Sequence, residues 1–275
     1  MSRPPELHVL PGGDEWRIGD TTFTHGFDRG SSSDRFFIRK PASLMALYRD
    51  LAPAFQQATI VELGIAAGGS TALLALLADP RKLIACELDA APVAALTEFL
   101  KDHRLDSAVR PFYGIDQGDR SRLAELVDAE RAGAALDLVI DDASHLYEET
   151  RSSFEVLYPR LRPGGLFIIE DWAADYRYAR QVEATLTGPP SAQRTKLEAR
   201  IALALDGGHR PAALPTIAVE LLHIAGSADG VVERIEINNH WIVVERGSAA
   251  LDPDGFRLAD HYVDCWHWLS PDPAP

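Results

Sequence analysis

Residues 137–172 decide the fold, and they read DLVIDDASHLYEETRSSFEVLYPRLRPGGLFIIEDW. The stretch contains two short apolar runs, at 138–140 and 166–169, and each run ends in a pair of acidic residues. Short apolar runs that are bounded by charged residues and by a Pro-Gly-Gly turn are typical of strands buried in a parallel sheet. The residues between the runs place apolar side chains at helical spacing. The stretch therefore predicts a strand, a helix and a second strand.

The two acidic pairs, Asp141-Asp142 and Glu170-Asp171, would then lie at the carboxyl ends of neighbouring strands, which is where an open α/β sheet binds ligands. Converging carboxylates with His145 a few residues along the chain are typical of an oxygen-ligand metal site beside a general base. Any one of these acids is equally well explained as a helix N-cap. Two acid pairs together favour the metal site, because gathered like charges repel unless a cation lies among them.

The composition is that of a soluble globular domain with a substantial core. The chain has 275 residues and a formal net charge of −14. No basic stretch offsets this charge, so the sequence argues against a nucleic acid or an anionic membrane as a partner. No run is long and apolar enough to span a membrane, and the N-terminus lacks a signal-peptide pattern. We therefore expect a cytoplasmic protein.

Residues 59–71 read TIVELGIAAGGST and predict a buried strand, a glycine-rich turn and the start of a helix. Glycines at such a turn let the backbone approach a ligand closely, and a helix start offers unpaired N–H groups. The spacing differs from the Gly-x-Gly-x-x-Gly of nicotinamide and flavin proteins, and no P-loop Lys-Ser/Thr follows. The turn alone is weak evidence, because close packing of a helix on a strand also requires glycine.

The next two predicted strands also end in polar residues. The strand at 83–86 leads to Glu87, whose carboxylate is placed to accept both ribose hydroxyls of a bound nucleoside. The strand at 109–113 leads to Asp116 and Gln117, which we expect beside an adenine or, equally, in a turn before the next helix. All of these features follow consecutive strands at one edge of the sheet. Their joint occurrence indicates a ligand site.

The segments ELGIAAGGS, CELD, GIDQGD, IDDASH and RPGGLFIIED resemble the motif series of class I S-adenosylmethionine-dependent methyltransferases. More narrowly, they are similar to the metal-dependent O-methyltransferases of macrocin- and mycinamicin-type natural-product sugars, and more distantly to catechol and caffeoyl-CoA O-methyltransferases. The resemblance covers residues 41–247. It implies an α/β fold, a doubly wound Rossmann-like seven-stranded sheet with an antiparallel C-terminal hairpin and helices on both faces.

Outside residues 41–247 the chain has no matching motif. We interpret residues 1–40 as an N-terminal extension with small strands at 8–10 and 21–23, which is either a lid over the site or a loosely ordered terminus. The second reading is favoured because termini are usually loosely ordered. Residues 248–275 form a C-terminal tail, and within the domain we expect a further strand at 218–224.

The resemblance also implies site residues. In relatives the general base lies three residues beyond the first metal ligand, so Asp142 becomes a ligand and His145 the base. Glu170 and Asp171 complete the set for Mg²⁺ or another divalent cation, while a shift of one residue would make Asp141 the ligand instead. The residues expected around S-adenosylmethionine are Glu62, Gly64, Gly68, Ser70, Glu87, Asp116, Gln117 and Asp141.

The favoured hypothesis is Mg²⁺-dependent transfer of a methyl group to a small-molecule hydroxyl, most readily a sugar hydroxyl of a natural product. The metal would lower the pKa of the hydroxyl, and His145 would accept its proton. Trp172 and Tyr176 would stack on the acceptor or pack the next helix. The open alternatives are a catechol or phenol acceptor, a nicotinamide-dependent oxidoreductase, and a non-catalytic cofactor-binding protein. We also expect a homo-oligomer.

Overall fold

Two β-sheets organise the protein, and a computed structural model describes residues 6–26, 30–191, 194–195, 198 and 212–263, with the backbone alone at 175, 177 and 178. The first sheet contains four strands in the spatial order β1-β2-β3-β4. Its strands are β1 (His8–Val9), β2 (Glu15–Ile18), β3 (Thr21–His25) and β4 (Arg35–Ile38). The strands expected near residues 8–10 and 21–23 are therefore confirmed.

The second sheet contains the seven strands that the sequence predicts. They are β5 (Thr59–Leu63), β6 (Lys82–Glu87), β7 (Val109–Tyr113), β8 (Leu136–Asp141), β9 (Leu161–Glu170), β10 (Val232–Ile237) and β11 (Trp241–Arg246). Their spatial order is β10-β11-β9-β8-β5-β6-β7. Strands β5 to β9 pair in parallel, and the β10–β11 hairpin joins β9 antiparallel. The doubly wound sheet and its C-terminal hairpin are confirmed.

Helices connect the strands and cover both faces of this sheet. They are α1 (Ala42–Leu51), α2 (Gly69–Ala78), α3 (Ala94–Asp102), α4 (Arg120–Arg131), α5 (Tyr147–Leu157), α6 (Ala174–Thr187) and α7 (Thr216–Ser227). Successive side chains of a strand point to opposite faces, so Ile60 joins a core with α1, α2 and α3, whereas Val61 joins a core with α4, α5 and α7. Burial on both faces explains why these strands are uninterrupted apolar runs.

The N-terminal sheet is part of the first core, so our interpretation of residues 1–40 as a loosely ordered terminus is wrong for the described residues of this segment. The side chains of Trp16, Phe23 and Phe36 are buried. The ring of Phe36 meets the ring of Phe99 on α3 edge-on, with centroids 5.4 Å apart. Burial of three aromatic side chains stabilises the packing of these short strands on the domain.

One further expectation is corrected at residues 218–224, which form part of helix α7 rather than a strand. Ile217, Leu221 and Ile224 are buried, and this spacing is the stripe of a helix packed on a core. No helix among the described residues is long and apolar enough to cross a membrane. Residues 264–275 of the expected C-terminal tail lie outside the described part of the chain.

Candidate active site

The glycine-rich turn joins β5 to α2, and a side chain is excluded at its glycines for different steric reasons. Gly64 has φ +96°, and a Cβ atom there would lie 2.2 Å from the carbonyl oxygen of Asp142. A Cβ atom on Gly69 would lie 2.7 Å from the carbonyl oxygen of Phe37 on β4. Gly68, with φ +86°, is the N-cap of α2. The turn therefore packs directly on the turn after β8 and on the N-terminal sheet.

Glu62 lies beneath this turn, with its carboxyl buried on β5. The hydroxyl of Thr71 donates a hydrogen bond of 2.6 Å to Oε2 of Glu62. Burial raises the pKa of Glu62 to about 7, although hydrogen bonds from the side chains of Ser70 and Thr71 act in the opposite direction. The structure thus brings the predicted residues Glu62 and Ser70 together.

Glu87 lies at the end of β6, and its carboxylate reaches over the glycine turn. Oε2 accepts the N–H groups of Ile65 at 3.0 Å and Ala66 at 2.8 Å. Oε1 accepts the N–H group of Asp89 at 3.1 Å. These bonds hold the carboxylate at the carboxyl edge of the sheet, where the sequence predicts a nucleoside.

The side chain of Gln117 is buried and forms hydrogen bonds with other residues of the protein. Its Nε2 donates to Asp141 Oδ2 at 3.0 Å, and its Oε1 accepts the N–H group of Ser144 at 2.9 Å. Ser153 on α5 also donates to Asp141, at 2.7 Å, and burial raises the pKa of Asp141 to about 6. Asp116 accepts the N–H group of Gly118 in the same loop at 2.8 Å.

The acids after β8 and β9 meet at one place. One potential ligand atom from each of Asp142, His145 and Asp171 lies within 4.8 Å of the others. Nε2 of His145 lies 3.8 Å from Oδ1 of Asp142. His145 and Asp171 have φ values of +55° and +51°, a left-handed conformation that L-residues rarely adopt. Residues that keep such unfavourable backbone angles cluster at functional sites.

Lys40 lies between the two acid pairs. Its Nζ donates to Glu170 Oε2 at 2.6 Å and to Asp142 Oδ2 at 3.0 Å, and the side chain is 3% exposed. Burial lowers the pKa of Lys40, but the carboxylates of Asp142 and Glu170 outweigh it and hold the pKa well above its ordinary value. The sequence analysis missed Lys40, because its partners are 102 and 130 residues away and no local pattern relates them.

Glu170 also lines the cavity but does not belong to the group formed by Asp142, His145 and Asp171. Its Oε1 accepts a short hydrogen bond from the hydroxyl of Tyr48 on α1, and its Oε2 is bonded to Lys40. Burial raises the pKa of the Glu170 carboxyl, against the lowering effect of the Lys40 ammonium group.

A cavity of about 890 Å³ connects the glycine turn to the acids. Gly64, Ser70 and their neighbours line it near α2, and Asp142, His145 and Asp171 line it near β8 and β9. His25 on β3 and Phe37 on β4 also line the cavity, so the N-terminal sheet forms part of its wall.

The two aromatic candidates next to the acids differ. The indole of Trp172 donates to the carbonyl oxygen of Asn238 at 2.7 Å, which anchors it to the turn of the C-terminal hairpin. Tyr176 meets Trp172 edge-on, with ring centroids 6.2 Å apart, and is 56% exposed. Trp172 therefore has a structural partner, while Tyr176 offers a ring to the solvent.

Residues 61–172 match a family profile described as a methyltransferase domain. The chain contains a methyltransferase domain. This domain has the α/β fold of class I methyltransferases, so the resemblance stated from the motifs is confirmed. The match extends from β5 through β9 to Trp172, and therefore covers the glycine turn and both acid pairs.

Two curated relatives match the chain over short segments. Demethylmacrocin O-methyltransferase of Streptomyces fradiae is 47% identical over 75 residues, which are 27% of this chain and 18% of that protein. Mycinamicin VI 2''-O-methyltransferase of Micromonospora griseorubida is 46% identical over 77 residues, which are 27% of this chain and 18% of that protein. The matches therefore span less than one fifth of either relative.

A solved structure confirms the fold over a longer range. The MycE methyltransferase from the mycinamycin biosynthetic pathway, solved in complex with Mg and SAH, aligns with a TM-score of 0.50 at 22% sequence identity. The alignment covers 77% of this chain and 51% of that chain. At this level of identity the likeness establishes the architecture of the methyltransferase domain.

Proposed function

We propose that this protein transfers a methyl group from S-adenosylmethionine to a hydroxyl group of a small molecule, with the help of Mg²⁺ or another divalent cation. The observation that carries the proposal is the grouping of Asp142, His145 and Asp171 in the cavity that also reaches the glycine turn. The names of the matched relatives refer to O-methylation, and one of them, 8-demethyl-8-alpha-L-rhamnosyl tetracenomycin-C 2'-O-methyltransferase of Streptomyces olivaceus, includes a rhamnosyl group. These names support a sugar hydroxyl of a natural product as the acceptor.

The donor groups fit a divalent cation. Proteins bind Mg²⁺ through one or two carboxylates, and water or substrate oxygens complete its octahedron. Asp142 and Asp171 offer two carboxylates on neighbouring loops, with His145 close by. These two acids would hold the ion. Glu170 is the third ligand that the resemblance implies, but its two oxygens are bonded to Tyr48 and Lys40, so it would have to leave a partner to bind the ion.

The nucleoside and methionine parts of S-adenosylmethionine would lie along the glycine turn. Glu87 is held at the end of β6 by backbone N–H groups, where its carboxylate would accept the ribose hydroxyls. Asp116 would lie near the adenine, and Gln117 would act indirectly, by holding Asp141 and the loop after β8. The residues proposed around the methionine part are Glu62, Gly64, Gly68 and Ser70.

S-adenosylmethionine would supply an electrophilic methyl group on a sulfonium, and the divalent cation a Lewis acid that lowers the pKa of an alcohol. His145 would accept the hydroxyl proton as the oxygen forms its bond to the methyl carbon and the sulfur keeps the pair of the broken bond. Asp142 Oδ1, which lies 3.8 Å from Nε2, would stabilise the resulting imidazolium. Tyr176 would contact the acceptor beside this position.

The test is methyl transfer by the purified protein to a panel of glycosylated natural products and catechols, with products identified by mass spectrometry. We expect a methylated sugar product that EDTA abolishes and Mg²⁺ restores. Methylation of catechols alone would replace the sugar by a phenolic acceptor. Turnover that is unaffected by EDTA would contradict the metal-dependent mechanism.

His145→Ala should lower kcat by about 10²- to 10⁴-fold, because a positioned general base contributes that much. Binding of S-adenosylhomocysteine, measured by calorimetry, should not change. His103→Ala, at the end of α3 and outside the residues that line the cavity, is the matched control and should leave turnover intact. A near-normal rate for His145→Ala across pH would show that another group accepts the proton.

A further inference from the structure

We propose that the ammonium group of Lys40 is a permanent counter-ion to part of the acids of the site, and that it thereby sets the affinity of the site for its divalent cation. It divides these acids into an inner pair, which is bonded to Lys40, and an outer pair, which is not. The inner pair is Glu170 and the Oδ2 side of Asp142, and the outer pair is Asp171 and the Oδ1 side of Asp142. The inference rests on the proposed function in that the site uses a divalent cation.

The inner pair is built around a buried ammonium group. Nζ of Lys40 bonds to Glu170 at 2.6 Å and to Asp142 at 3.0 Å. The same atom lies 4.8 Å from the centroid of the Tyr48 ring, so the ammonium also has an aromatic face against it. Lys40 and Glu170 have side chains that are only 3% and 2% exposed. Water therefore has little access to this cluster, and the ion pair is screened far less than a surface pair.

The outer pair is more exposed than Lys40 and Glu170, which also line the cavity. The side chain of Asp142 is 27% exposed, and its Oδ1 lies on the side of His145 Nε2. A ligand atom of Asp171 completes the group within 4.8 Å. Asp142 is therefore shared, because one oxygen is bonded to Lys40 and the other belongs to the group that would hold the cation.

The chain places Lys40 firmly, since it joins β4 to the start of α1. Pro41 follows it directly as the N-cap of α1, and Tyr48 lies on that helix. The carbonyl oxygen of Lys40 lies 3.1 Å from Nδ1 of His25 on β3. The segment that follows β4 thus positions the ammonium group of Lys40 beside the acids that follow β8 and β9.

The charges of this arrangement determine what Lys40 does to a metal ion. The formal charges of Asp142, Glu170, Asp171 and Lys40 sum to two negative charges, which a divalent cation balances. Removing the ammonium takes a like charge away from the ion and releases oxygens of Asp142 and Glu170 as further ligands. Lys40→Met should therefore tighten metal binding by at least about tenfold.

The experiment is titration of the cofactor-free protein with Mn²⁺, followed by the electron paramagnetic resonance of the free ion. Lys40→Met should bind Mn²⁺ at least about tenfold more tightly than the unmodified protein. Glu170→Gln should weaken binding through the loss of one negative charge, but by less than Asp171→Asn, because the Glu170 carboxylate is bonded to Lys40 rather than offered to the ion. Asp171→Asn should lose at least about tenfold. Lys82→Met is the matched control. Lys82 pairs with Glu130 at 3.3 Å and does not line the cavity, so this variant should bind Mn²⁺ as tightly as the unmodified protein.

Lys40→Met leaves Glu170 buried without a cation, which strongly destabilises the folded protein. The double variant Lys40→Met/Glu170→Gln avoids this, because both side chains are then neutral and Tyr48 keeps an acceptor. It should bind Mn²⁺ more tightly than Glu170→Gln alone. Unchanged or weaker binding on removal of Lys40, in either background, would overturn the inference, as would a loss for Glu170→Gln as large as the loss for Asp171→Asn.

The outcomes also separate this inference from the proposed function. Mn²⁺ binding by the unmodified protein with no effect of Lys40 would reject the inference alone. Binding only after removal of Lys40 would support the inference and reject the metal-dependent reaction. Absence of binding in all variants would reject both.

Discussion

The buried carboxyl group of Glu62, beneath the glycine turn, should make the free energy of unfolding depend on pH. Burial raises the pKa of its carboxyl from 4.5 to about 7. The folded protein therefore holds this proton more tightly than the unfolded chain, so the free energy of unfolding falls as the pH rises between these two values. At about 1.4 kcal/mol for each pH unit, the difference amounts to about 3 kcal/mol above pH 7 and to nothing below the lower value.

Glu62→Gln should remove this pH dependence. The glutamine oxygen still accepts the hydrogen bond from Thr71, so the main change is the loss of the buried charge. We expect the variant to be more stable than the unmodified protein by about 1–3 kcal/mol near pH 8, and the two to have similar stability near pH 5.

The measurement is urea unfolding of the cofactor-free protein at a series of pH values, followed by tryptophan fluorescence. Glu155→Gln is the matched control, because Glu155 is equally buried but pairs with Arg120 and, at 3.3 Å, with Arg151. This control should lower stability, since it removes a partner from two guanidinium groups. A Glu62→Gln variant that is no more stable near pH 8, or that differs from the unmodified protein equally at every pH, would refute the reasoning.

Three further substitutions test neighbouring parts of the site. Gly64→Ala should lower stability by at least about 3 kcal/mol in the same urea assay, because its Cβ would collide with the Asp142 carbonyl oxygen at a positive φ; a stable variant would contradict this. Glu87→Gln should weaken S-adenosylhomocysteine binding in calorimetry by about tenfold without changing Mn²⁺ affinity, and the reverse pattern would undo the ribose assignment. Tyr48→Phe leaves a Glu170 oxygen without its donor and should cost about 1–3 kcal/mol in thermal unfolding; unchanged stability would disprove that role.

The central sheet and the positions of its acids were predictable because the signals are local. A buried parallel strand needs a short apolar run, and the residue that follows it reaches the ligand edge wherever the strand lies in the sheet. The packing of the N-terminal sheet on the domain was not predictable in this way. Its buried residues Trp16, Phe23 and Phe36 are distributed over strands of only four or five residues, too short to display a period.

The two-residue period of a strand predicts which face of the sheet the side chains of Asp141 and Glu170 occupy. On β9, Glu170 shares a face with Ile168, which packs in the core beside α1, and the structure shows Glu170 bonded to Tyr48 of that helix. On β8, Asp141 shares a face with Val139 and meets Ser153 of α5. Lys40 was beyond such reasoning, because only the assembled fold brings it to residues more than one hundred positions away.

The contact between Gly64 and Asp142 has a consequence for how such a site changes over time. Asp142 donates its N–H group to the carbonyl oxygen of Leu63 at 2.9 Å, while Gly64 leaves no room between the two loops. Main-chain atoms thus set the spacing between the loop proposed for the methyl donor and the loop proposed for proton removal. Side chains elsewhere around the cavity can therefore be substituted during evolution without changing this spacing. A related protein could then accept a different acceptor while the methyl group is transferred over the same distance.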